Sequence, residues 1–133
     1  MKLILVSCVG KKLEGIHNAK DLYISDWFKK ARIYAEKNSD IWAILSAKYG
    51  LVFPEDEIES YEMYLPKQSK DYRINWAKEI ANKINLISPT EVEILAGKTY
   101  REYLITLLQC NVVIPMEGLG IGQQLKWLKE VIN

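Results

Sequence analysis

The sequence predicts an α/β domain built on a mainly parallel sheet of about four strands. Two observations carry that prediction. Four short runs rich in Ile, Leu and Val alternate with segments whose apolar residues recur at helical spacing. Each apolar run also stops abruptly at small and polar residues, as strands of an open α/β sheet do where they reach its rim.

The first run, Lys2 to Val9, is a continuous β-branched and aliphatic stretch, the pattern of a strand buried on both faces. Gly10 to Lys20 is polar and reads as a loop. From Asp21 the spacing becomes helical through Leu22, Trp27 or Phe28, Ala31, Tyr34 and Ala35, and Lys37-Asn38 closes the segment. Asp40 to Ser46 is the second strand. Ala47 to Ser69 is long and irregular, with Gly50, Pro54 and Pro66, and loops of that length carry function or short elements of their own. Lys70 to Leu86 is helical, Ser88-Pro89-Thr90 is a turn, and Glu91 to Ala96 is the third strand. A helix over Tyr100 to Leu108, a strand over Asn111 to Met116 and a helix over Gln123 to Val131 complete the chain. The alternation implies parallel strands joined by crossover helices, hence one three-layer, Rossmann-like domain over residues 1–133.

A length of 133 residues suffices for one domain with a real core. The apolar fraction of 49% and charged fraction of 26% are those of an ordinary globular protein. With 18 basic and 17 acidic residues the net charge is +1, so no global polycation is available to hold nucleic acid by phosphate neutralisation alone. No apolar run approaches the roughly 20 residues of a membrane span, and the opening segment is too short for a signal peptide. Cys8 and Cys110 fit neither a zinc spacing nor a disulfide framework, and His17 is the sole histidine. The expected setting is a reducing cytoplasm, with no metal and no cofactor.

Parallel strands aim their C-terminal ends at one rim. Four segments emerge there: Ser7 to Lys12, Ser46 to Gly50, Gly97 to Tyr100, and Glu117 to Gly120. Each joins a small residue to a polar one, and three carry lysine. A ligand pocket is the functional reading; strand ends that simply meet water are the plain one. Gly118-Leu119-Gly120-Ile121-Gly122 precedes a helix, where backbone N–H groups can hold an anion. It matches neither the dinucleotide fingerprint nor a P-loop, and a tight strand-to-helix turn explains the glycines equally well. Cys8 is a candidate nucleophile without a visible base, or a small buried residue. Lys48 beside Tyr49 offers a cation and a stacking face, to which the loop adds Tyr61 and Tyr64, or these tyrosines cover the core with their hydroxyls in water. Glu117 is the candidate carboxylate for general acid–base work. The acidic group Glu55 to Glu59 reads as a solvated loop, or one member of it as a general acid or base, and the basic face Lys29, Lys30, Arg32 and Lys37 as a solvated helix face or a contact for nucleic-acid backbone.

The stretch Leu45-Ser46-Ala47-Lys48-Tyr49-Gly50-Leu51-Val52, with Pro54, Ile58, Tyr61 and Leu65, resembles the YaaA family. That family carries a similar L-S-x-x-Y-G-x-x-x-P segment followed by a P-Y-x-x-x-M/L element, in place of which this chain has Glu59-Ser60-Tyr61. The start, Ser7-Cys8 with Lys11-Lys12, Asp21-Leu22-Tyr23 and Ser25, is similar to small bacterial and phage domains related to YaaA. So is the ending Pro115 to Gly122 with Trp127-Leu128. Similar domains occur in enzymes of deazaguanine modification of tRNA and DNA. The resemblance implies handling of a base or nucleoside. For the YaaA family proper it implies nucleic-acid binding and protection from oxidative stress.

The reading that follows is an enzyme-like domain that binds a nucleobase, nucleoside or nucleotide and acts on a glycosidic bond or a modified base. Glu117 is its expected catalytic residue, and Ser7, Cys8, Lys11, Ser46, Lys48, Tyr49, Gly118 and Gly120 its expected binding residues. The alternative is a non-catalytic DNA- or RNA-binding module that uses Lys11, Lys12 and the Lys29 to Lys37 helix face. A ligand sensor without turnover is a third reading.

Overall fold

Residues 1–133 are described by a computed structural model. In chain order the elements are β1 (Lys2–Ser7), β2 (Ile16–Asn18), α1 (Ala19–Leu22), α2 (Asp26–Asn38), β3 (Ile41–Ser46), β4 (Gly50–Val52) and β5 (Glu57–Glu59). A 3₁₀ turn (Leu65–Lys67), α3 (Lys70–Ile87), β6 (Glu91–Leu95), α4 (Lys98–Arg101), β7 (Asn111–Val113) and α5 (Ile121–Ile132) follow. Five strands form a mostly parallel sheet in the order β4-β3-β1-β6-β7, flanked by helices. The four parallel members are the four expected strands. The fifth, β4, runs antiparallel on the β3 edge, with Ser46 opposite Gly50. That reversal leaves only Ala47, Lys48 and Tyr49 between the paired residues, and Gly50 makes it with a φ of +75°. β2 and β5 pair separately.

β1 lies at the sheet centre, and Leu3, Ile4, Leu5 and Val6 are fully buried. Alternation along the strands sets Ile4, Trp42 and Glu93 in one row. α2 covers that row: the Phe28 and Trp42 rings lie 6.5 Å apart, and Tyr34 donates a hydrogen bond to Glu93. Lys2 Nζ, 2.7 Å away, neutralises the Glu93 carboxylate, and this contact raises the lysine pKa. α5 packs beside α2 through Tyr34 and Trp127, whose rings are 5.2 Å apart. α3 buries Trp76, Ala77, Ile80, Ala81 and Ile84, and Trp76 Nε1 donates to the Ser46 carbonyl at 2.8 Å. No helix is long and apolar enough to cross a membrane.

The structure departs from expectation in four places. The helix expected from Asp21 is two helices, because Tyr23 and Ile24 are drawn into extended pairing with Lys12 and Lys11. Ser25 then caps α2, its Oγ accepting from Phe28 N at 3.1 Å and donating to the Val9 carbonyl at 2.8 Å. The loop from Gly10 to Lys20 holds β2 and the start of α1. The helix expected over Tyr100 to Leu108 is the single turn α4 followed by further turns. The last strand stops at Val113, and Ile114 to Leu119 turn through two backbone hydrogen bonds that lead into α5.

Gly10 and Gly118 both sit at left-handed φ, +80° and +82°. A Cβ on Gly10 would lie 2.7 Å from Ser25 Cβ, whereas one on Gly118 would meet nothing within 4 Å. Gly118→Ala is therefore expected to lose only the backbone term, about 1 kcal/mol. Gly10→Ala should lose about 2–4 kcal/mol, since it also displaces the α2 cap. Urea unfolding of both variants checks this, and equal losses would refute the role assigned to Ser25.

Candidate functional site at the reversal of strand order

After β1 the chain adds β3 on one side, then crosses to add β6 on the other. Loops leaving β1 and β6 therefore diverge at the C-terminal rim and leave a crevice between them, the usual ligand position in open α/β sheets. A cavity of about 360 Å³ lies there. Ser7, Cys8, Val9 and Gly10 form one wall, and Gly97, Lys98, Thr99 and Tyr100 the other. Trp27 of α2 and Ile121 and Gln124 of α5 close one end. Lys12 and the Met63, Tyr64 and Pro66 loop complete the lining. The volume falls within the range of small-molecule pockets, roughly 300–1,000 Å³.

Three features give the cavity its chemistry. Aromatic walls come from Trp27, Tyr100 and Tyr64, the last 59% exposed at the mouth. The Trp27 ring is fixed, since its Nε1 donates to Gln124 Oε1 at 2.9 Å and Gln124 Nε2 donates to the Leu119 carbonyl at 2.8 Å. Ser7 is fully buried, yet its hydroxyl has no hydrogen-bond partner. Such an orphan costs about 1–3 kcal/mol, which a ligand polar atom recovers. Lys12 and Lys98 bring two positive charges, no Asp or Glu lines the cavity, and neither lysine has a carboxylate partner. Lys12 Nζ rests over the Tyr61 ring, 4.7 Å from its centre.

The chain belongs to a family of unknown function, DUF6884. The family match spans residues 3–130 and so takes in every residue of the cavity wall. The uncharacterized protein YfjM of Bacillus subtilis (strain 168) is 26% identical over 145 residues, covering 99% of this chain and 95% of that relative.

Behind the cavity of this DUF6884 chain lies a layer of buried hydroxyls. The Tyr61 hydroxyl accepts from Ser46 Oγ at 2.9 Å and lies 2.8 Å from the Tyr23 hydroxyl. Ser46 Oγ in turn accepts from Tyr49 N at 3.1 Å. Cys8 Sγ accepts from Ala47 N at 3.3 Å and sits 3.5 Å from the Tyr100 hydroxyl. Burial pushes the Tyr23 pKa up to about 12. Burial and the neighbouring Cys8 push Tyr61 and Tyr100 higher still. All three phenols are neutral at neutral pH and act as dipoles.

Of the residues singled out from sequence, Ser7 and Cys8 line the cavity. Lys11 lies just outside it, in an adjoining open basin. Ser46 is buried beneath, its hydroxyl engaged by Tyr61 and Tyr49. Lys48 and Tyr49 are carried elsewhere by the turn into β4. They line a separate hollow of about 160 Å³ beside α3, with Lys48 Nζ over the Tyr49 ring at 5.2 Å. Gly118 and Gly120 belong to the turn that caps α5 and lie outside the lining. Glu117 also lies outside it, 64% exposed and paired with Arg101 at 3.2 Å, because β7 ends four residues earlier. The basic face of α2 is largely engaged: Lys30 pairs with Asp26, Arg32 with Asp21 and Glu36, and Lys37 donates to the Ile132 carbonyl. Sequence reasoning placed Lys98 in a rim segment without selecting it. It offered Tyr64 only as a loop tyrosine added to the Lys48 and Tyr49 pair, and it missed Trp27 and Gln124 as wall residues, which come from helices and carry no strand-end signal.

The phenol layer has a testable pH signature. Below pH 10 the folded and unfolded chains both keep these protons. Above it the unfolded chain ionises first, while Tyr23 holds its proton to about pH 12. Stability should therefore be intact below pH 10 and fall as pH rises from 10 toward 12. Urea unfolding across that window should show a smaller fall in Tyr23→Phe than in wild type; identical falls would mean that Tyr23 titrates normally.

Proposed function

We propose that the cavity binds a nucleotide or nucleoside. One observation carries the reading: on a chain of net charge +1, the crevice at the strand reversal has two unpaired lysines, no carboxylate and aromatic walls. An aromatic base suits Trp27, Tyr100 and Tyr64. A phosphate suits Lys12 and Lys98. The orphan Ser7 hydroxyl suits a base edge or a sugar hydroxyl. The resemblance to YaaA-like and deazaguanine-related domains supports the same ligand class, as does a three-layer, Rossmann-like stacking of the helices on both sheet faces. Glu117, held by Arg101 outside the wall, lends no support to a glycosidic or base-modifying reaction through that carboxylate. The geometry favours recognition carried by Ser7, Lys12, Lys98 and the aromatic walls.

Thermal-shift screening with nucleobases, nucleosides and nucleoside monophosphates tests this. At a common concentration monophosphates are expected to stabilise most, reaching about 2.7 kcal/mol where that concentration is 100 times their dissociation constant. Lys98→Gln and Lys12→Gln should each weaken that effect several-fold. The same ligand should slow alkylation of Cys8, in the wall, and leave that of Cys110 unchanged. No shift with any nucleotide, together with no protection of Cys8, would remove the reading.

A further inference from the structure

The cavity does not end at its mouth. Gly10, Lys12, Met63 and Tyr64 also line a second, more open basin of about 640 Å³, so the two compartments adjoin along Lys12 and Tyr64. The basin adds Lys11 and Lys67, and also Glu14 and Glu62. Across both compartments four lysines face two glutamates, a surplus of two positive charges on a chain whose total is +1. No ion pair engages any of the four lysines.

We infer that the natural ligand extends past the cavity by one phosphodiester, as the terminal nucleotide of a single strand does. This rests on the reading of the cavity as a nucleotide site and names its substrate class. The terminal base and sugar occupy the cavity between the β1 and β6 loops. The linking phosphate passes Lys12, and the second nucleotide lies in the basin beside the exposed Tyr64 ring, a ready stacking face. The placement of charge favours a phosphodiester over a pyrophosphate. The linking phosphodiester brings a single negative charge past Lys12, and the next phosphate is carried a full nucleotide further into the basin, where Lys11 and Lys67 lie. A nucleoside diphosphate concentrates its charge at one end and would bring part of it against Glu14 and Glu62.

The test compares 5′-mononucleotides, the matching 5′-phosphorylated dinucleotides and nucleoside 5′-diphosphates by titration calorimetry on the full chain. The dinucleotide is expected to bind roughly tenfold more tightly than the mononucleotide, with a steeper salt dependence. Lys11 and Lys67 are exposed, so the double variant Lys11→Gln/Lys67→Gln should fold normally. It should abolish most of that gain while changing mononucleotide affinity less than about twofold. Lys29→Gln, on α2 and in neither compartment, should change neither affinity. A dinucleotide that binds no more tightly than the mononucleotide overturns the inference and leaves the nucleotide site standing. So does a diphosphate that gains as much as the dinucleotide. Absence of binding by all three overturns the nucleotide reading itself.

Discussion

The molecule depends on the double-sided parallel pairing of β1. Leu3 to Ser7 are matched to Ile41 to Leu45 on one edge, and Lys2 to Val6 to Glu91 to Leu95 on the other. Both edges are taken and the side chains of Leu3 to Val6 are fully buried, so the strand can leave the sheet only at its end. Ser7, Cys8, Val9 and Gly10 must therefore emerge between the two outgoing loops. Ser25 fixes that exit by donating to the Val9 carbonyl, and left-handed Gly10 lets the chain turn close against it. The cavity is thus a consequence of strand order, and the loops decorate an opening that pairing already requires.

The same geometry explains why so many hydroxyls gather behind the cavity. Where β1 and β3 leave the ladder, backbone groups at the tight reversal are satisfied by side chains. Ala47 N donates to Cys8 Sγ, the Ala47 carbonyl accepts from the Tyr72 hydroxyl, and the Ser46 carbonyl accepts from Trp76 Nε1. Tyr61, Tyr23 and Ser46 close a chain of hydroxyl bonds across the gap between β3 and the loops packed over it. Buried polar groups are tolerated when partnered, and these are. Ser7 is the exception, and it lies in the cavity wall. Within that layer of hydroxyls it is the one left unpartnered, and it faces the cavity rather than the packed side.

The strands were legible because a buried parallel strand is apolar on both faces, so Leu3 to Val6 and Trp42 to Leu45 announce themselves without periodicity. β4 was not, because three residues after a tight turn carry too little pattern. Strand order was silent because it depends on which edge of β1 each later strand reaches. The site was legible to the same extent. Ser7 and Cys8 follow β1 directly, and their placement needs only that strand. Lys48 and Tyr49 follow β3 just as directly, yet the short reversal into β4 turns them toward α3. Glu117 reads as a strand-end residue only if β7 runs to Met116; it stops at Val113 and the carboxylate swings out to Arg101. Trp27 is legible as a core residue, and its second role depends on Gln124, 97 positions away.

The distribution of charge follows from these placements. Away from the cavity, cations meet carboxylates: Lys2 with Glu91 and Glu93, Lys20 with Glu55, Lys30 with Asp26, Arg73 with Glu102, Arg101 with Glu117. Exposed pairs of this kind contribute little stability each, and they leave other lysines unpaired, Lys29, Lys48 and Lys78 among them. The crevice differs in its setting: no carboxylate lines the cavity, and its lysines stand beside aromatic walls that concentrate field lines. The phenols behind them add no charge at neutral pH, since burial holds their protons in place. What sets the rim where β1 and β6 part apart is therefore the company its lysines keep, aromatic walls and neutral phenols with no carboxylate in the cavity lining, rather than their number.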